Sequence, residues 1–343
     1  MIRIQNIYYM LAYAFQVLHE QGYKDVATED FENTAELLSA ILCRGVSVQI
    51  KRGLCRQYIT NEEPLGSPRG KIEIGESIKT QAIRKKQLVC AYDEFSVDAY
   101  TNRIIKTTME LLLRANISKT RKKEIRKLLI FFDGVSVLDT HSINWDIQYD
   151  RNNQTYRMII EVCHLVIKGL LQTSADGSTR IMDYADDQTM AKLYEKFILG
   201  YFQREHTDIK AYSPQIAWQV TDGYRTLLPT MQSDIVISNK KTKKTLIIDA
   251  KYYSHNMQMK APYMTQTLHS GNLYQIFTYV KKWTAAPDET ISGMLLYART
   301  DDAIQPDNDY QMSGNQISVK TLDLNCEFAV IAAQLDAIAD SIK

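Results

Sequence analysis

Two aspartates and a lysine stand at the ends of two apolar runs, where folding alone gives little reason for charged residues. Asp234 precedes the run 235–237, and Asp249 and Lys251 follow the run 246–248. Burying a charge is unfavourable unless the charge is paired or bound to a metal. Two carboxylates and one ammonium group therefore suit a site that holds a divalent cation against a phosphate.

The spacing of these residues predicts that they meet on one face of a hairpin. Both runs are rich in β-branched residues, which is typical of strands, and the lysine-rich segment 239–244 between them is typical of a turn. Folding the chain about the centre of that turn pairs residues whose numbers sum to 483, which places Asp234 opposite Asp249 (234 + 249 = 483). Residues i and i+2 share a face of a strand, so Lys251 joins Asp249.

Mg²⁺ is the cation that fits this set of groups. Opposed carboxylates repel each other unless a proton or a cation lies between them, and Mg²⁺ commonly binds carboxylates together with waters and a substrate phosphate. It would polarise a phosphodiester and lower the pKa of a bound water. Lys251 would position that water or stabilise charge on the phosphate. The alternative is an interstrand Asp–Lys ion pair at a solvated sheet edge, and spacing alone does not decide between the two.

Asp234 followed by Asp249-Ala250-Lys251 resembles the D…(D/E)xK signature of the PD-(D/E)xK nuclease superfamily. The resemblance implies that the two acidic residues bind metal and that the lysine assists hydrolysis. The proline of the signature is not adjacent here, because Pro229 lies five positions before Asp234 (234 − 229 = 5). That position is poorly kept in the superfamily, so the departure weighs little.

Further segments resemble the McrC family, the nuclease subunit of McrBC-type restriction systems, from the first residues to about Tyr297. They follow one another in the family's order at 4–14, 67–72, 92–96, 102–106, 193–197 and 273–279. The resemblance implies a Mg²⁺-dependent endonuclease subunit of a GTP-dependent, 5-methylcytosine-specific restriction complex that cuts double-stranded DNA. It also implies an McrB-like AAA+ GTPase as partner, which binds the GTP and is stimulated by this chain.

The resemblance adds further polar residues to the candidate site. In the superfamily, a helix before the core strands often donates an acidic residue to the metal, and Glu195 matches by its place. The alternative interpretation is that Glu195 is a solvent-exposed helix residue that lies beside two lysines at helical spacing. Gln275 and Tyr279 lie one helical turn apart and share a face. They resemble a Q-x-x-x-Y element that follows the lysine in some of these nucleases, although an ordinary amphipathic helix explains them too.

Composition and charge restrict the class of protein. The chain has 343 residues, 45% of them hydrophobic, and is long enough for about two domains. It has no apolar run near the ~20 residues that span a membrane and no signal-peptide layout at its start, so a cytoplasmic protein is expected. Its five scattered cysteines include no C-x-x-C pair, which argues against a zinc site or a disulfide framework.

The charge balance fits a nuclease that is delivered to DNA by a partner. The formal net charge is only +1, whereas a lone DNA-binding protein usually has a strong basic excess. Basic residues cluster locally at 119–127 and 240–244, where they either contact phosphates or form solvated surface. No G-x-x-x-x-G-K-[ST] loop occurs, so the chain is not expected to bind GTP. No Ser/His/Asp grouping forms around His255 and His269.

The expected fold is α/β, with a mixed α+β domain at 1–178 and a mixed sheet flanked by helices at 179–343. The resemblance implies that this second part is a PD-(D/E)xK nuclease-like core. Loop-forming residues at 173–179 mark the boundary. Apolar periodicity predicts helices near 8–18, 28–42, 99–115, 120–132, 156–172, 187–204 and 271–283, and strands near 54–60, 71–74 and 291–298.

The first domain carries no catalytic group of residues. The family resemblance implies that this domain binds the AAA+ partner. Arg69 and the pair Asp93-Glu94 are candidate contacts because they lie in family-like segments; a turn arginine and helix-capping acids are the alternative. Two other functions stay open for the whole chain. One is chiefly an activator or assembly subunit of the AAA+ ring, and the other is a stand-alone repair or recombination nuclease, which the near-neutral charge disfavours.

Overall fold

The two apolar runs form neighbouring antiparallel strands in a computed structural model of the chain. Ile235 lies opposite Ile248 and Val236 opposite Ile247, so paired residue numbers sum to 483 and the predicted register is confirmed. The residues that the structure describes are 2–15, 31, 33–149, 154–176, 187–221, 223–260 and 265–343.

Helices and strands alternate irregularly along the described residues. The helices are α1 Ile4–Ala14, α2 Thr34–Arg52, α3 Ile74–Lys79, α4 Tyr100–Arg114, α5 Lys119–Leu129, α6 Arg157–Asp176, α7 Asp187–Glu205, α8 Ser270–Lys282 and α9 Phe328–Asp340. Short 3₁₀ turns occupy Ala82–Lys85, Ile130–Phe132 and Gln154–Tyr156. The strands are β1 Gln57–Leu65, β2 Lys71–Ile72, β3 Leu88–Ser96, β4 Lys210–Tyr212, β5 Gln215–Ile216, β6 Met231–Gln232, β7 Ile235–Asn239, β8 Lys244–Lys251, β9 Gln258–Lys260, β10 Thr265–Thr267, β11 Thr290–Ala298, β12 Asn308–Met312 and β13 Asn315–Leu322.

The chain divides into two compact units, and the division differs from the predicted one at its start. One unit joins Met1–Leu37 to Asp176–Lys343, and the other is Leu38–Ala175. The second boundary lies close to the predicted position at 178. The first helix belongs with the C-terminal part because α1 packs against α7 so closely that a Cβ on Gly200 would lie 2.3 Å from the Tyr13 carbonyl oxygen. Sequence periodicity does not reveal such a long-range contact.

A six-stranded mixed sheet forms the centre of the larger unit, in the order β12-β13-β11-β8-β7-β4. Strands β8, β11 and β13 are parallel neighbours, whereas β4, β7 and β12 run antiparallel to the strands they pair with. Helices pack on this sheet, as predicted for a mixed sheet flanked by helices. The strands β8 and β11 read as nearly continuous apolar runs because both of their faces are covered.

Helix α8 covers one face of the sheet and brings polar residues to the strand ends. Its buried residues Ile276 and Val280 pack in one cluster with Ile247 of β8 and Ile317 of β13. Gly293 on β11 permits this close approach, because a Cβ there would lie within 2.9 Å of the Ile276, Val280 and Ile317 side chains. The axial position of α8 is thereby fixed against β8.

The unit at 38–175 combines helices with a three-stranded antiparallel sheet in the order β1-β3-β2. Two residues of the segment 102–106 stabilise it: the Asn102 amide donates to the carbonyls of Cys55 and Val97, and Lys106 donates to two backbone carbonyls. This family-like segment therefore holds its own unit together. Cys43, Cys90 and Cys163 are buried, as expected of most of the thiols.

Most predicted helices match, and the mismatches have local reasons. The predictions near 99–115, 187–204, 271–283 and 291–298 agree with α4, α7, α8 and β11 to within a residue. Strand β1 was predicted at 54–60 but extends through Pro64 to Leu65, because proline is tolerated in an edge strand. The predicted helix near 8–18 begins instead at Ile4, and its last residues, like the predicted start at 28–30, lie outside the described residues.

Candidate active site

Asp249 is a fully buried carboxylate at the centre of the site. Its side chain is 0% exposed, and neither of its oxygens accepts an aligned hydrogen bond from another protein group. Burial, opposed by Lys251 and reinforced by the charge of Asp234, raises the pKa of Asp249 to about 7. Its charged partner is Lys251, but burying two carboxylates beside one ammonium group is unfavourable for folding, so the arrangement indicates a function.

Asp234 lies immediately before β7, in the position that the hairpin register places next to Asp249. Its Oδ2 accepts a hydrogen bond from the Ala250 amide at 2.9 Å, which fixes one oxygen on the backbone of β8. Burial raises the pKa of Asp234, while Lys251 and the Ala250 amide oppose the rise. The two carboxylates are therefore neighbours as predicted, each with a raised affinity for a proton.

Lys251 shares the face of Asp249, as its place two residues further along β8 predicts. Its Nζ lies 2.8 Å from Asp249 Oδ2, and the side chain is 15% exposed. Burial by itself lowers the pKa of Lys251, but the carboxylates of Asp249 and Asp234 outweigh it and raise the pKa. The ammonium group is therefore charged, and it lies where the last residue of β8 meets solvent.

Gln275 and Tyr279 of α8 join the site through a chain of hydrogen bonds. Lys251 Nζ donates to Gln275 Oε1 at 3.3 Å, and Gln275 Nε2 donates to the Tyr279 hydroxyl at 2.8 Å. The Tyr279 hydroxyl in turn donates to the Gln232 carbonyl at 3.0 Å, two residues before Asp234. The chain thus joins the lysine to the segment that carries the aspartate, and Tyr279 is also part of the apolar core.

Glu195 on α7 lies near the same charges. Burial and the charge of Asp234 raise its pKa to about 7, while Lys251 and two lysines of α7 oppose the rise. Glu195 is only partly buried. Three carboxylates with raised pKa values thus interact electrostatically with the ammonium group of Lys251.

Asn272, Tyr253 and Tyr297 form a second polar chain that the sequence did not reveal. The Tyr253 hydroxyl donates to Asn272 Oδ1 at 3.1 Å, and Asn272 Nδ2 donates to the Tyr297 hydroxyl at 3.0 Å. Tyr297 pairs with Lys251 across the parallel strands β11 and β8. Helical spacing was the available signal, because Asn272 lies three residues before Gln275 and shares its face of α8.

The donor set fits a divalent metal with few protein ligands. Within the described residues, no group of three or more histidine, cysteine, aspartate or glutamate side chains is arranged to hold a metal ion. Glu195, whose pKa responds to the charge of Asp234, stays a predicted further acidic group of this site. Mg²⁺ commonly binds one or two carboxylates and retains waters. The carboxylate oxygens of Asp249, which accept no aligned hydrogen bond, meet that requirement together with Asp234.

The other singled-out residues form contacts of their own. Asp93 and Glu94 are on β3, where they accept hydrogen bonds from Thr60 and Asn61, so they do not cap a helix. His255 contacts Asp302 at 3.0 Å, and the Arg69 guanidinium lies over the Tyr92 ring. Across the described part of the chain, no helix is both long and apolar enough to cross a membrane.

Similarity to known proteins covers nearly the whole chain. Residues 4–298 match the family described as McrBC 5-methylcytosine restriction system component. The chain is 30% identical over 347 residues to the type IV methyl-directed restriction enzyme EcoKMcrBC of Escherichia coli (strain K12), covering 99% of this chain and 97% of that relative.

Two solved assemblies from Thermococcus gammatolerans align more weakly. A half-complex of McrB AAA+ hexamers with bound McrC matches at 18% identity and a TM-score of 0.49, covering 99% of this chain and 76% of that one. The McrBC complex matches at 19% identity and a TM-score of 0.37, covering 49% and 55%. Both TM-scores lie below 0.5, so these alignments do not establish a shared fold.

Proposed function

The chain belongs to the McrBC 5-methylcytosine restriction system component family, and we propose that it is the nuclease subunit of such a system. The group of Asp234, Asp249 and Lys251 supports this proposal most directly. A buried carboxylate beside a second carboxylate and ion-paired with a lysine is unfavourable for folding and suitable for phosphodiester hydrolysis. The unit that carries it would be a PD-(D/E)xK nuclease core.

Asp234 and Asp249 would hold Mg²⁺, with Glu195 as a further acidic group at the edge of the site. When bound, Mg²⁺ supplies positive charge that polarises the scissile phosphodiester. The Ala250 amide holds Asp234 Oδ2 in place, so one aspartate is oriented by the backbone of the strand that carries the other. Preorganisation of this kind avoids rearrangement during the reaction.

Lys251 would donate to a phosphate oxygen or orient the attacking water. Gln275 accepts a hydrogen bond from its ammonium group on the α8 side, and Asp249 forms an ion pair with it on the strand side, so N–H groups of the ammonium stay available for substrate. Tyr279 fixes the amide orientation of Gln275, so the lysine, the amide and the Asp234 segment act as one unit.

The partner in this proposal is an McrB-like AAA+ GTPase that delivers double-stranded DNA containing 5-methylcytosine. Family membership and the name of the E. coli relative support it, together with the net charge of +1. The unit at 38–175 offers an exposed aromatic pair, Tyr58 (75% exposed) and Phe95 (53% exposed), with ring centroids 5.0 Å apart. An exposed aromatic pair of this kind is typical of an interaction site.

Substitution of Lys251 separates cutting from assembly. We expect Lys251→Ala to lower the rate of Mg²⁺-dependent cleavage of methylated plasmid by a factor on the order of 10²–10³, as for loss of a single charge-stabilising donor. Partner binding and stimulated GTP hydrolysis should persist. Lys282→Ala, which removes a lysine from the end of α8, is the matched control and should cut normally. Cleavage by Lys251→Ala at the control rate would reject the mechanism.

The complementary substitution tests the partner surface. We expect the double variant Tyr58→Ala/Phe95→Ala to lose partner binding and GTPase stimulation while the C-terminal unit stays folded, because both rings are largely exposed. Ile304→Ala, which removes an exposed apolar side chain from the other unit, is the control. Co-purification and GTP hydrolysis measure the result. Undiminished stimulation by the double variant would place the contact elsewhere.

A further inference from the structure

A strained, exposed leucine lies on the loop that leads into the aspartate segment. Strands β5 and β6 pair as a short hairpin, with Gln215 opposite Gln232 and Ile216 opposite Met231. The loop between them spans 217–230, and the structure describes it apart from residue 222. Leu227 near its tip is 96% exposed and has a φ of +68°. That backbone region is unfavourable for a branched side chain, and such strain is concentrated at functional sites.

The base of this loop is fixed to the core of the candidate nuclease unit. Trp218 Nε1 donates to the Pro229 carbonyl at 2.6 Å, which closes the loop at its neck. Gln219 Nε2 donates to the Lys282 carbonyl at 3.0 Å and attaches the loop to the end of α8. Ile216 and Met231 are buried in the same apolar cluster as Tyr279. The loop is therefore anchored to the elements that position the catalytic side chains.

The tip presents apolar surface to solvent. Leu227 and Leu228 (41% exposed) follow Tyr224 (67% exposed) and the exposed Arg225. The Leu228 amide donates to the Arg225 carbonyl at 3.2 Å, so the tip forms a closed turn. An apolar side chain held at the end of a fixed turn, beside an arginine, is suited to insertion between base pairs with the cation against a phosphate.

We propose that Leu227 is a wedge that inserts into duplex DNA beside the cleaved phosphodiester. This inference rests on the proposed nuclease function. We infer that the tip contacts DNA because only a short segment joins it to Asp234, so a duplex bound at Asp234 lies within reach of the tip. Six residues lie between Leu227 and Asp234, and the seven steps from one Cα to the next span at most ~25 Å when extended. At ~3.4 Å per base step, the wedge meets the duplex within about seven base pairs of the cut.

The Leu227 wedge would orient the DNA substrate without taking part in the hydrolysis reaction. Insertion of Leu227 unstacks one base step and bends the duplex, which sets the angle at which the backbone reaches the carboxylates. Steps that unstack readily, such as pyrimidine–purine steps, should therefore be cut in preference to stiff A-tracts at the same distance from the modified base. That preference would be a property of this chain rather than of the AAA+ partner.

The test uses duplexes with one 2-aminopurine, a base that becomes fluorescent when unstacked, placed in turn at each position within seven base pairs of the cut. The complete complex with the AAA+ partner and GTP is assembled with Lys251→Ala so that the DNA stays whole. We expect a several-fold rise in fluorescence at one position, and its loss in Lys251→Ala/Leu227→Asn. Asparagine tolerates the left-handed backbone, so this substitution removes the wedge without straining the fold.

The controls separate this inference from the nuclease proposal. Ile304→Asn, which changes an exposed apolar residue elsewhere in the unit, should retain the fluorescence rise. If the wild-type complex cuts DNA but no position becomes fluorescent, the wedge is rejected and the nuclease function stands. If the wild-type complex does not cut, the nuclease function is rejected, and the fluorescence decides DNA insertion separately. Loss of AAA+ binding in Leu227→Asn would make the tip a protein contact and overturn the inference.

Discussion

Asp249→Asn should make the protein more stable while destroying its activity. In the folded state Asp249 is 0% exposed and accepts no aligned hydrogen bond, and burial raises its pKa to about 7 from a usual value of 3.8. An acid whose folded-state pKa is raised binds its proton more tightly when folded. The contribution of Asp249 to the free energy of unfolding is therefore greatest at low pH and falls as pH rises from about 4 to about 7. Asparagine does not ionise, so the Asp249→Asn variant does not lose stability in this way as pH rises.

The size of the effect follows from the pKa difference. At about 1.36 kcal/mol per unit, a rise from 3.8 to about 7 corresponds to an advantage for the variant of about 4 kcal/mol at pH 8. At pH 5, where folded Asp249 is protonated, the advantage falls to about 2 kcal/mol by the same relation. The ion pair with Lys251 is already included, because the lysine opposes the rise in the pKa of Asp249.

Urea unfolding followed by tryptophan fluorescence measures this difference, because Trp218 and Trp283 lie in the unit that carries Asp249. Wild type and variant are compared at pH 5 and pH 8 without divalent metal. Asp288→Asn is the control, since Asp288 is 84% exposed and its substitution should change stability by less than about 0.5 kcal/mol. An Asp249→Asn variant less stable than wild type at pH 8, or a difference independent of pH, would refute the electrostatic reasoning.

Two further predictions test the elements around the site. Tyr279→Phe should lower the cleavage rate about tenfold at unchanged KM, because the hydroxyl that orients Gln275 is lost while the buried ring stays. Tyr274→Phe on the exposed side of α8 should have no effect on the rate. An unchanged rate in Tyr279→Phe would show that Tyr279 does not position Gln275. Gly200→Ala should destabilise the larger unit by about 2 kcal/mol or more, because its Cβ would lie 2.3 Å from the Tyr13 carbonyl oxygen. Gly271→Ala, with nothing within 4 Å of the added Cβ, should be neutral or slightly stabilising in thermal melts, and equal melting temperatures for the two variants would contradict the packing of α1 on α7.

The hairpin at the site could be predicted because its geometry is local. A symmetrical turn between two apolar runs determines the register, and the register alone places Asp234 beside Asp249 and Lys251 on the same face. The mixed sheet and most helices followed from apolar periodicity in the same way.

The remaining features depend on contacts between residues far apart in the chain. Nothing in the spacing of α1 shows that it packs on α7, so the grouping of this helix with the C-terminal elements could not be predicted from the sequence. Glu195 was matched by its place in the chain, and its distance from the aspartates depends on how α7 lies on the sheet. The Tyr253–Asn272–Tyr297 chain joins three separate elements, for which the sequence offers only the helical spacing of Asn272.

The central claim is that Asp249 holds the metal with which this subunit cuts DNA. The most direct measurement is the linearisation of methylated plasmid as a function of Mg²⁺ concentration, with GTP hydrolysis followed in the same reaction. The chain is assembled with its AAA+ partner as wild type and as Asp249→Asn. Cleavage should saturate with Mg²⁺ in wild type and be absent in the variant, while both hydrolyse GTP at the stimulated rate. Wild-type levels of Mg²⁺-dependent cleavage by Asp249→Asn would contradict the account.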